Sequence, residues 1–310
     1  ASSYILENNN GSFKDITDSK APELNDLGMV TDAKLADIDG DGKEELLVIG
    51  EWMSIKVYEI GRGQLIDETS AKGLDETKGW WNTFELVDMD GDGDQDLICG
   101  NLGHNIKYKA SKEEPFKVYV DDFDNNGTHD VYLGYYENGQ CFPVRGRQCS
   151  SQQMPFVKEK FKSYQDFGVA TIDKVLEGHI GDNTVVQEAQ TFSTTLFINN
   201  GGTFEAKVLP NFAQISPVYG IAVDDFDKDG QTDLFLAGNM YQREVETTRS
   251  DAGKGCLVSL SESGEFIVKS SLVTGISADK DVRDVAILKG GKQDLLLIAN
   301  NNDKFQVYQY

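Results

Sequence analysis

Residues 37–45 read Asp37-Ile38-Asp39-Gly40-Asp41-Gly42-Lys43-Glu44-Glu45, and the four residues after them are apolar. Asp stands at positions 1, 3 and 5 of this stretch, Gly at position 6 and an acid at position 9. The pattern returns three times, as Asp88-Met89-Asp90-Gly91-Asp92-Gly93-Asp94-Gln95-Asp96, Asp122-Phe123-Asp124-Asn125-Asn126-Gly127-Thr128-His129-Asp130 and Asp225-Phe226-Asp227-Lys228-Asp229-Gly230-Gln231-Thr232-Asp233. Apolar runs follow each copy (46–49, 97–99, 131–133, 234–237), and half-alternating stretches such as 29–36 and 219–223 precede them. Alternation, a Gly-bearing acidic turn and a second apolar run read as strand, loop, strand. Self-similarity of this kind marks a repeat architecture.

A fifth copy is degenerate. Residues 282–288 and 295–299 keep the strand pattern around Lys289-Gly290-Gly291-Lys292-Gln293-Asp294, but only the last Asp survives and the turn is expected to hold no ion. Between the loops lie further strand pairs: 55–60 with 64–68, 195–199 with 203–208, 257–260 with 265–269, and 3–7 with 12–16 at the start. Four strands in about 50 residues is the size of a propeller blade. The fold class expected is therefore all-β, a β-propeller of four-stranded blades, five to seven of them, forming a single domain over 1–310. The long gap before the fourth loop differs. Residues 154–164 and 167–177 carry apolar residues at helical spacing (Val157, Phe161 and Tyr164; Ile172, Val175 and Leu176), with Pro155 suited to a first turn and Gly178 to a stop. A small helical insertion between blades is expected at 151–178.

Three oxygen-bearing side chains at alternate positions can converge on one hard cation, while the Gly allows the sharp turn. With neither His nor thiolate at the ligand positions, the donor set selects Ca²⁺ over zinc or copper. About four calcium sites are expected. Their ligands are Asp37, Asp39, Asp41, Lys43 and Glu45; Asp88, Asp90, Asp92, Asp94 and Asp96; Asp122, Asp124, Asn126, Thr128 and Asp130; and Asp225, Asp227, Asp229, Gln231 and Asp233. Position 7 (Lys43, Asp94, Thr128, Gln231) would contribute its backbone carbonyl. An EF-hand needs a bidentate Glu at position 12; Val48, Cys99, Leu133 and Leu236 stand there and exclude it. Without a cation, the crowded carboxylates of each loop would repel one another. The ions are read as structural staples of the turns.

These segments resemble the FG-GAP or VCBS repeat of integrin α-subunit heads and many bacterial surface proteins. The phrases GMVTDAKLADIDGDG, GWWNTFELVDMDGDGD, GNLGHNIKYKAS, SPVYGI and EVETTRSDAGKG are similar to one bacterial subgroup of VCBS-repeat proteins, over nearly the whole chain. The resemblance implies a propeller with calcium loops between strands A and B of several blades. Two positions depart from the pattern. Asn126 replaces an Asp and removes a charge, which is expected to weaken the third site, and Glu45 replaces an Asp in the first.

With A–B loops on one face of such a propeller, B–C and D–A loops occupy the other, which is free for function. Candidate ligand-binding residues there are Glu51, Trp52, Trp80, Trp81, Asn82, Asn101, His104, Tyr219, Asn239, Tyr241 and Arg243. Aromatics beside amides and charges suit carbohydrate or peptide recognition, although at least one of Trp80 and Trp81 is expected to pack between blades. The polar loop 243–251 either reaches over the central channel or is simply solvated.

A net charge of −23 repels nucleic acid and anionic membranes. No apolar run approaches the roughly 20 residues of a membrane-spanning helix. The chain opens Ala1-Ser2-Ser3, without an initiator Met or signal segment, inside what reads as a strand; it is read as a piece of a longer protein. Cys141 and Cys149 are near enough in sequence to close a short disulfide loop, whereas Cys99 and Cys256 sit in strand-like runs as buried thiols. Enzyme signatures are thin. His104 is the sole candidate general base on the ligand face, and no G-x-S-x-G, phosphate loop or HExxH occurs. The expected function is an extracellular, calcium-binding propeller, at a bacterial cell surface or facing the periplasm, acting as a binding or adhesion module for a glycan or protein. The alternatives are a lyase-type polysaccharide-active enzyme using calcium with His104 or Tyr241, and a structural spacer in an envelope protein.

Overall fold

The structure, a computed structural model, describes residues 2–61, 63–243, 246–290 and 293–310. It divides into two compact units: unit 1 comprises Ala1–Ile106 and Phe192–Tyr310, and unit 2 comprises Lys107–Thr191. The single domain expected from the repeats is thus interrupted by a second unit.

Unit 1 is built from antiparallel sheets. A hairpin, β1 (Leu6–Asn9) and β2 (Ser12–Asp15), comes first. The next sheet runs β3 (Met29–Ala36), β4 (Glu45–Met53), β5 (Lys56–Ile60) and β6 (Leu65–Asp67), with the short β7 (Gly79–Trp80) paired to the end of β4. A second four-stranded sheet holds β8 (Thr83–Val87), β9 (Asp96–Gly100), β14 (Thr195–Asn199) and β15 (Phe204–Val208). A third runs β16 (Gly220–Asp224), β17 (Asp233–Ala237), β18 (Cys256–Leu260) and β19 (Phe266–Ser270). The last has three strands, β20 (Val282–Leu288), β21 (Leu295–Asn300) and β22 (Gln306–Gln309). Short helices α1 (Thr17–Lys20) and α6 (Ser271–Thr274) lie in connections.

The strand pairs read from the sequence form with shifts of up to three residues at their ends. Within each sheet the chain meanders outward from a first strand, as in a blade. The first strands are neighbours across sheets: β3 touches β8, β8 touches β16, and β16 touches β20. Lys34 of β3 pairs with Glu85 of β8 at 2.6 Å, and Asp32 accepts from the Thr83 hydroxyl at 3.1 Å, tying two inner strands together.

The core lies between adjacent sheets, which is why the middle strands are apolar on both faces. Strands β9, β14, β17 and β18 are buried at every residue, so they read as continuous runs rather than alternation. Trp81, Phe84, Leu97 and Phe197 fill one interface with Ile49 and Val57; Ile98, Leu196, Leu234 and Val258 fill the next; Phe235, Val282 and Leu296 fill the third. Cys99 and Cys256 are buried thiols there, as expected, and burial pushes the Cys256 thiol up to about 12.

Unit 2 sits in the chain between β9 and β14, two paired strands of one sheet (Cys99 opposite Thr195). Its own sheet contains β10 (Phe116–Asp121), β11 (Asp130–Glu137), β12 (Gln140–Pro143) and β13 (Val185–Ala189), in the order β12-β11-β10-β13. The fourth strand returns to pair with the first, which is not the meander of a blade. Helices α2 (Arg147–Gln153), α3 (Phe156–Lys160), α4 (Tyr164–Gly168) and α5 (Ile172–Val175) form the crossover from β12 to β13. The expected helical insertion at 151–178 therefore lies inside one sheet's connectivity, not between blades. Its two expected helices are broken by Ser163 and Thr171, whose hydroxyls accept from Asp166 N–H and Lys174 N–H and start new turns. Val157, Phe161, Ile172, Val175 and Leu176 are buried with Tyr119, Phe123 and Tyr132. Tyr164 is not: it is exposed, with the Arg147 guanidinium 5.3 Å from its ring centroid. Cys141 and Cys149 are not joined in a disulfide.

Candidate functional site

The four acidic loops share one construction. Position 1 accepts backbone N–H groups on both carboxylate oxygens. Asp37 takes Gly40 and Gly42 (2.8 and 2.9 Å), Asp88 takes Gly91 and Gly93 (2.8 and 3.2 Å), Asp122 takes Asn126 and Gly127 (2.9 and 2.8 Å), and Asp225 takes Asp229 and Gly230 (3.0 and 2.9 Å). The side chain at position 5 accepts from the N–H at position 7: Asp41 from Lys43, Asp92 from Asp94, Asn126 from Thr128 and Asp229 from Gln231. Gly42, Gly93, Gly127 and Gly230 all have φ between 84° and 97°, a region closed to most side chains. That requirement explains the Gly at position 6.

The acid at position 9 opens the second strand of each hairpin and is buried. Glu45, Asp96, Asp130 and Asp233 are 2%, 0%, 5% and 2% exposed, and each accepts from the N–H at position 2 (Ile38, Met89, Phe123, Phe226) at 2.9–3.2 Å. Burial raises the pKa of Glu45, Asp130 and Asp233, and pushes Asp96 up to about 6. Desolvation disfavours the ionised form, and neighbouring carboxylates add to it.

Carboxylate oxygens of Asp37, Asp39 and Asp41 lie within 4.8 Å of one another, as do those of Asp88, Asp90 and Asp92, of Asp122, Asp124 and Asp130, and of Asp225, Asp227 and Asp229. Donors on opposite sides of a calcium ion, each bonded at roughly 2.3–2.6 Å, are about 5 Å apart. The clusters therefore fit a single hard cation in both spacing and donor chemistry. In the third loop the carboxylate cluster is Asp122, Asp124 and Asp130, since position 5 carries the amide of Asn126.

The loops differ in the cations the chain itself supplies. Lys72 Nζ binds Asp39 at 2.8 Å and Glu68 at 3.3 Å, and Lys43 Nζ binds Asp41 at 2.6 Å. Lys269 pairs with Asp227. Among the described residues, no lysine or arginine pairs with Asp88, Asp90 or Asp92. Sequence reading missed Lys72 and Lys269, which lie far along the chain from the loops they meet.

In unit 1 the acidic loops 37–45, 88–96 and 225–233 join first to second strands, so the turns after the second strands stand at the opposite sheet ends. The candidate ligand residues there separate into two groups. Trp81 is 0% exposed; its Nε1 donates to the Thr77 carbonyl at 2.9 Å and its ring meets Phe197 edge-on. Asn101 and Asn239 are also fully buried. The Leu102 N–H donates to the Asn101 side chain, and Asn239 Nδ2 donates to the Gly253 and Lys280 carbonyls. Asn82 Nδ2 donates to the Val218 carbonyl at 3.2 Å. These four residues hold adjacent sheets together, and their polar groups are already engaged by the chain.

The second group is more open, except for Trp52, which is 7% exposed. Trp52, at φ 64°, lies tilted against Trp80 with ring centroids 4.8 Å apart. Glu51 pairs with Trp80 across β4 and β7. Burial raises the Glu51 carboxyl, and the Trp80 indole works against that rise. The Arg283 guanidinium lies 4.7 Å from the Tyr219 ring centroid. Burial raises the Tyr219 pKa, Arg283 and Arg243 lower it, and Glu51 raises it further, which places these charges within electrostatic reach of one another. Arg283 was not legible as a partner: it is one residue of an ordinary strand pattern. His104 is exposed and meets the Ser193 hydroxyl at 2.8 Å. Tyr241 donates to the Asp279 carbonyl at 3.1 Å. In the loop 243–251, Glu244 and Val245 lie outside the described residues, as do Gly291 and Lys292 of the degenerate turn.

No helix among the described residues is long and apolar enough to cross a membrane. The model of the FG-GAP-like repeat matches residues 37–99, the stretch that holds the first two acidic loops. The chain thus carries an FG-GAP-like repeat. No curated protein sequence matches it. Among solved structures, one similar chain comes from work on the recognition of non-reducing terminal N-acetylglucosamine by a lectin of Agrocybe aegerita. The two are 18% identical with a TM-score of 0.26; the match covers 89% of this chain, which spans 65% of the length of the other.

Proposed function

We propose that this chain is a calcium-stapled binding module that works outside the cytoplasm and presents a ligand face for a glycan or protein at the sheet ends opposite its acidic loops. One observation carries the reading: the same oxygen cluster, no wider than 4.8 Å, recurs in four hairpins with the same backbone support. Positions 1, 3 and 5 would hold the ion in the first, second and fourth loops; in the third, Asp122, Asp124 and Asp130 would. The cation would neutralise the clustered carboxylates, the buried acid at position 9 included, and lock the turn between the first two strands. Loops this exposed at their tips suit the weak affinities of extracellular calcium modules, about 0.1–1 mM, which fill only where calcium is abundant. The mixture of half-buried aromatics, amides and paired charges at the other sheet ends suits recognition rather than bond cleavage. His104 is exposed and Ser193 only partly buried, so the pair lacks the enclosed surroundings that activate a nucleophile.

Thermal unfolding in excess calcium and in EDTA tests the reading. An ion bound at one hundred times its Kd adds about 2.7 kcal/mol per site, and for a unit of this size each kcal/mol moves Tm by about 2–4 °C. Chelation should lower Tm by about 10 °C or more, and calcium should restore it. An identical Tm in both buffers would sink the proposal.

A further inference from the structure

Tyr241 and Gln242, on the loop after β17, face Lys280 and Asp281, just before β20, and Asn301, Asn302 and Asp303, on the turn after β21, across an open cleft of about 210 Å³. That is smaller than the roughly 300–1,000 Å³ of drug-sized sites and suits one small polar unit whose remainder stays in solvent. The cleft opens at the sheet ends away from the acidic loops, because loop 225–233 joins the other ends of β16 and β17.

The charges lining it cancel. Lys280 Nζ pairs with Asp303 at 2.7 Å. Asp281 is 3% exposed and takes the Arg283 guanidinium on both oxygens (2.8 and 3.0 Å) and the Asn301 amide at 3.0 Å. An ionic ligand would find no uncompensated partner there. What remains is hydrogen-bonding capacity without net charge. The side-chain amides of Gln242 and Asn302 are exposed and make no hydrogen bond to another side chain or carbonyl among the described residues, and each offers two donors and a two-lone-pair acceptor.

The walls are pre-set. The Tyr241 hydroxyl is fixed to the Asp279 carbonyl, and the Arg249 guanidinium, itself held by Asp251 at 2.8 Å, lies 4.7 Å from the ring centroid. The bridge between Met240 and Ser250 closes the loop that carries Tyr241. The Asn301 N–H donates to the Asp281 carbonyl at 2.8 Å, which joins the second wall to the third. Fixed walls spare a ligand the cost of ordering them.

We propose that this cleft binds a neutral saccharide through about one sugar unit, with Gln242 and Asn302 hydrogen-bonding its hydroxyls and Tyr241 supplying the apolar wall. Vicinal hydroxyls present alternating donors and acceptors, which primary amides match with both of their atoms. An apolar ligand would strand those amides, and an anion or cation would have to displace an existing ion pair. This inference rests on the reading of the chain as a binding module.

The test is a glycan array carrying neutral and acidic oligosaccharides, probed with the calcium-loaded full chain. Calorimetric titration of the strongest neutral hit into the unaltered chain, Gln242→Ala and Asn302→Gly follows. Asn302 sits at φ 53°, so Gly keeps the turn while removing the amide. Neutral binding, weakened about tenfold by each substitution with melting curves unchanged, is the expected result. A blank array, or binding confined to acidic glycans, overturns the proposal. So does neutral binding that both variants keep in full, which moves the site but leaves the module reading intact. Indifference of Tm to EDTA would strike the calcium reading without touching the array result.

Discussion

The loop at 88–96 and the turn at 289–294 occupy the same place in their sheets, between a first and a second strand, and they neutralise charge in opposite ways. The loop gathers Asp88, Asp90 and Asp92, and among the described residues no basic side chain pairs with any of them. The turn has lost its first carboxylates; Lys289 reaches both Asp294, at 3.1 Å, and Asp224 at the end of β16. One arrangement calls for a diffusible divalent ion, while the other carries a tethered monovalent one. The first should respond to calcium and the second should not. Loops 37–45 and 225–233 stand between them, since Lys72 and Lys269 each already sit on a loop carboxylate.

Four substitutions probe the contrast. Asp88→Ala removes the side-chain acceptor of two backbone N–H groups, Gly91 and Gly93, along with an ion ligand, and should lower stability in calcium by about 2–3 kcal/mol, or roughly 5–10 °C in Tm. Asp294→Ala should lower it by less than half as much; equal losses would erase the distinction. Lys289→Met comes next. It leaves Asp224, a largely buried carboxylate, with only the Tyr310 hydroxyl and a backbone N–H, and should lower Tm by the same smaller amount in calcium and in EDTA. A calcium-dependent loss would mean that this turn binds an ion after all. Lys269→Met should act least. Freed of its ammonium, Asp227 should let loop 225–233 take calcium on the order of three times more tightly, with little change of Tm in EDTA. Weaker binding by titration would show that the lysine supports the loop rather than competing for it.

The acidic loops and strand pairs were legible because their causes are local. Alternation, a Gly forced to positive φ and carboxylates two residues apart act within one hairpin. What escaped was non-local. Residues 195–199 look like the start of a new pair, yet they complete the sheet begun at 83–100, and no signal in either segment records the partnership. Loop 122–130 differs from its siblings by pattern only in Asn126, which says nothing of pairing, yet its sheet closes by returning β13 to β10. Trp80 and Trp81 show the limit on a smaller scale. Neighbouring residues of an extended chain point to opposite sides, so one joined Phe197 in the core and the other stayed half open beside Trp52. Tyr164 kept helical spacing with Phe161, but the helix restarted at Ser163 and turned it outward.

The splitting of one sheet by Lys107–Thr191 has a consequence for how the chain comes off the ribosome. Strand β9 emerges first and must wait, with one edge unmet, until the whole of unit 2 has been made before β14 arrives. If unit 2 folds in the interval, it shortens the effective tether. The Gly103 N–H already meets the Phe192 carbonyl at 2.7 Å, so its entry and exit stand side by side. Each halving of a tether returns about 0.6 kcal/mol of closure entropy, and three halvings about 2 kcal/mol. The intruding unit would then act as a clasp, bringing together the two halves that its own insertion had parted.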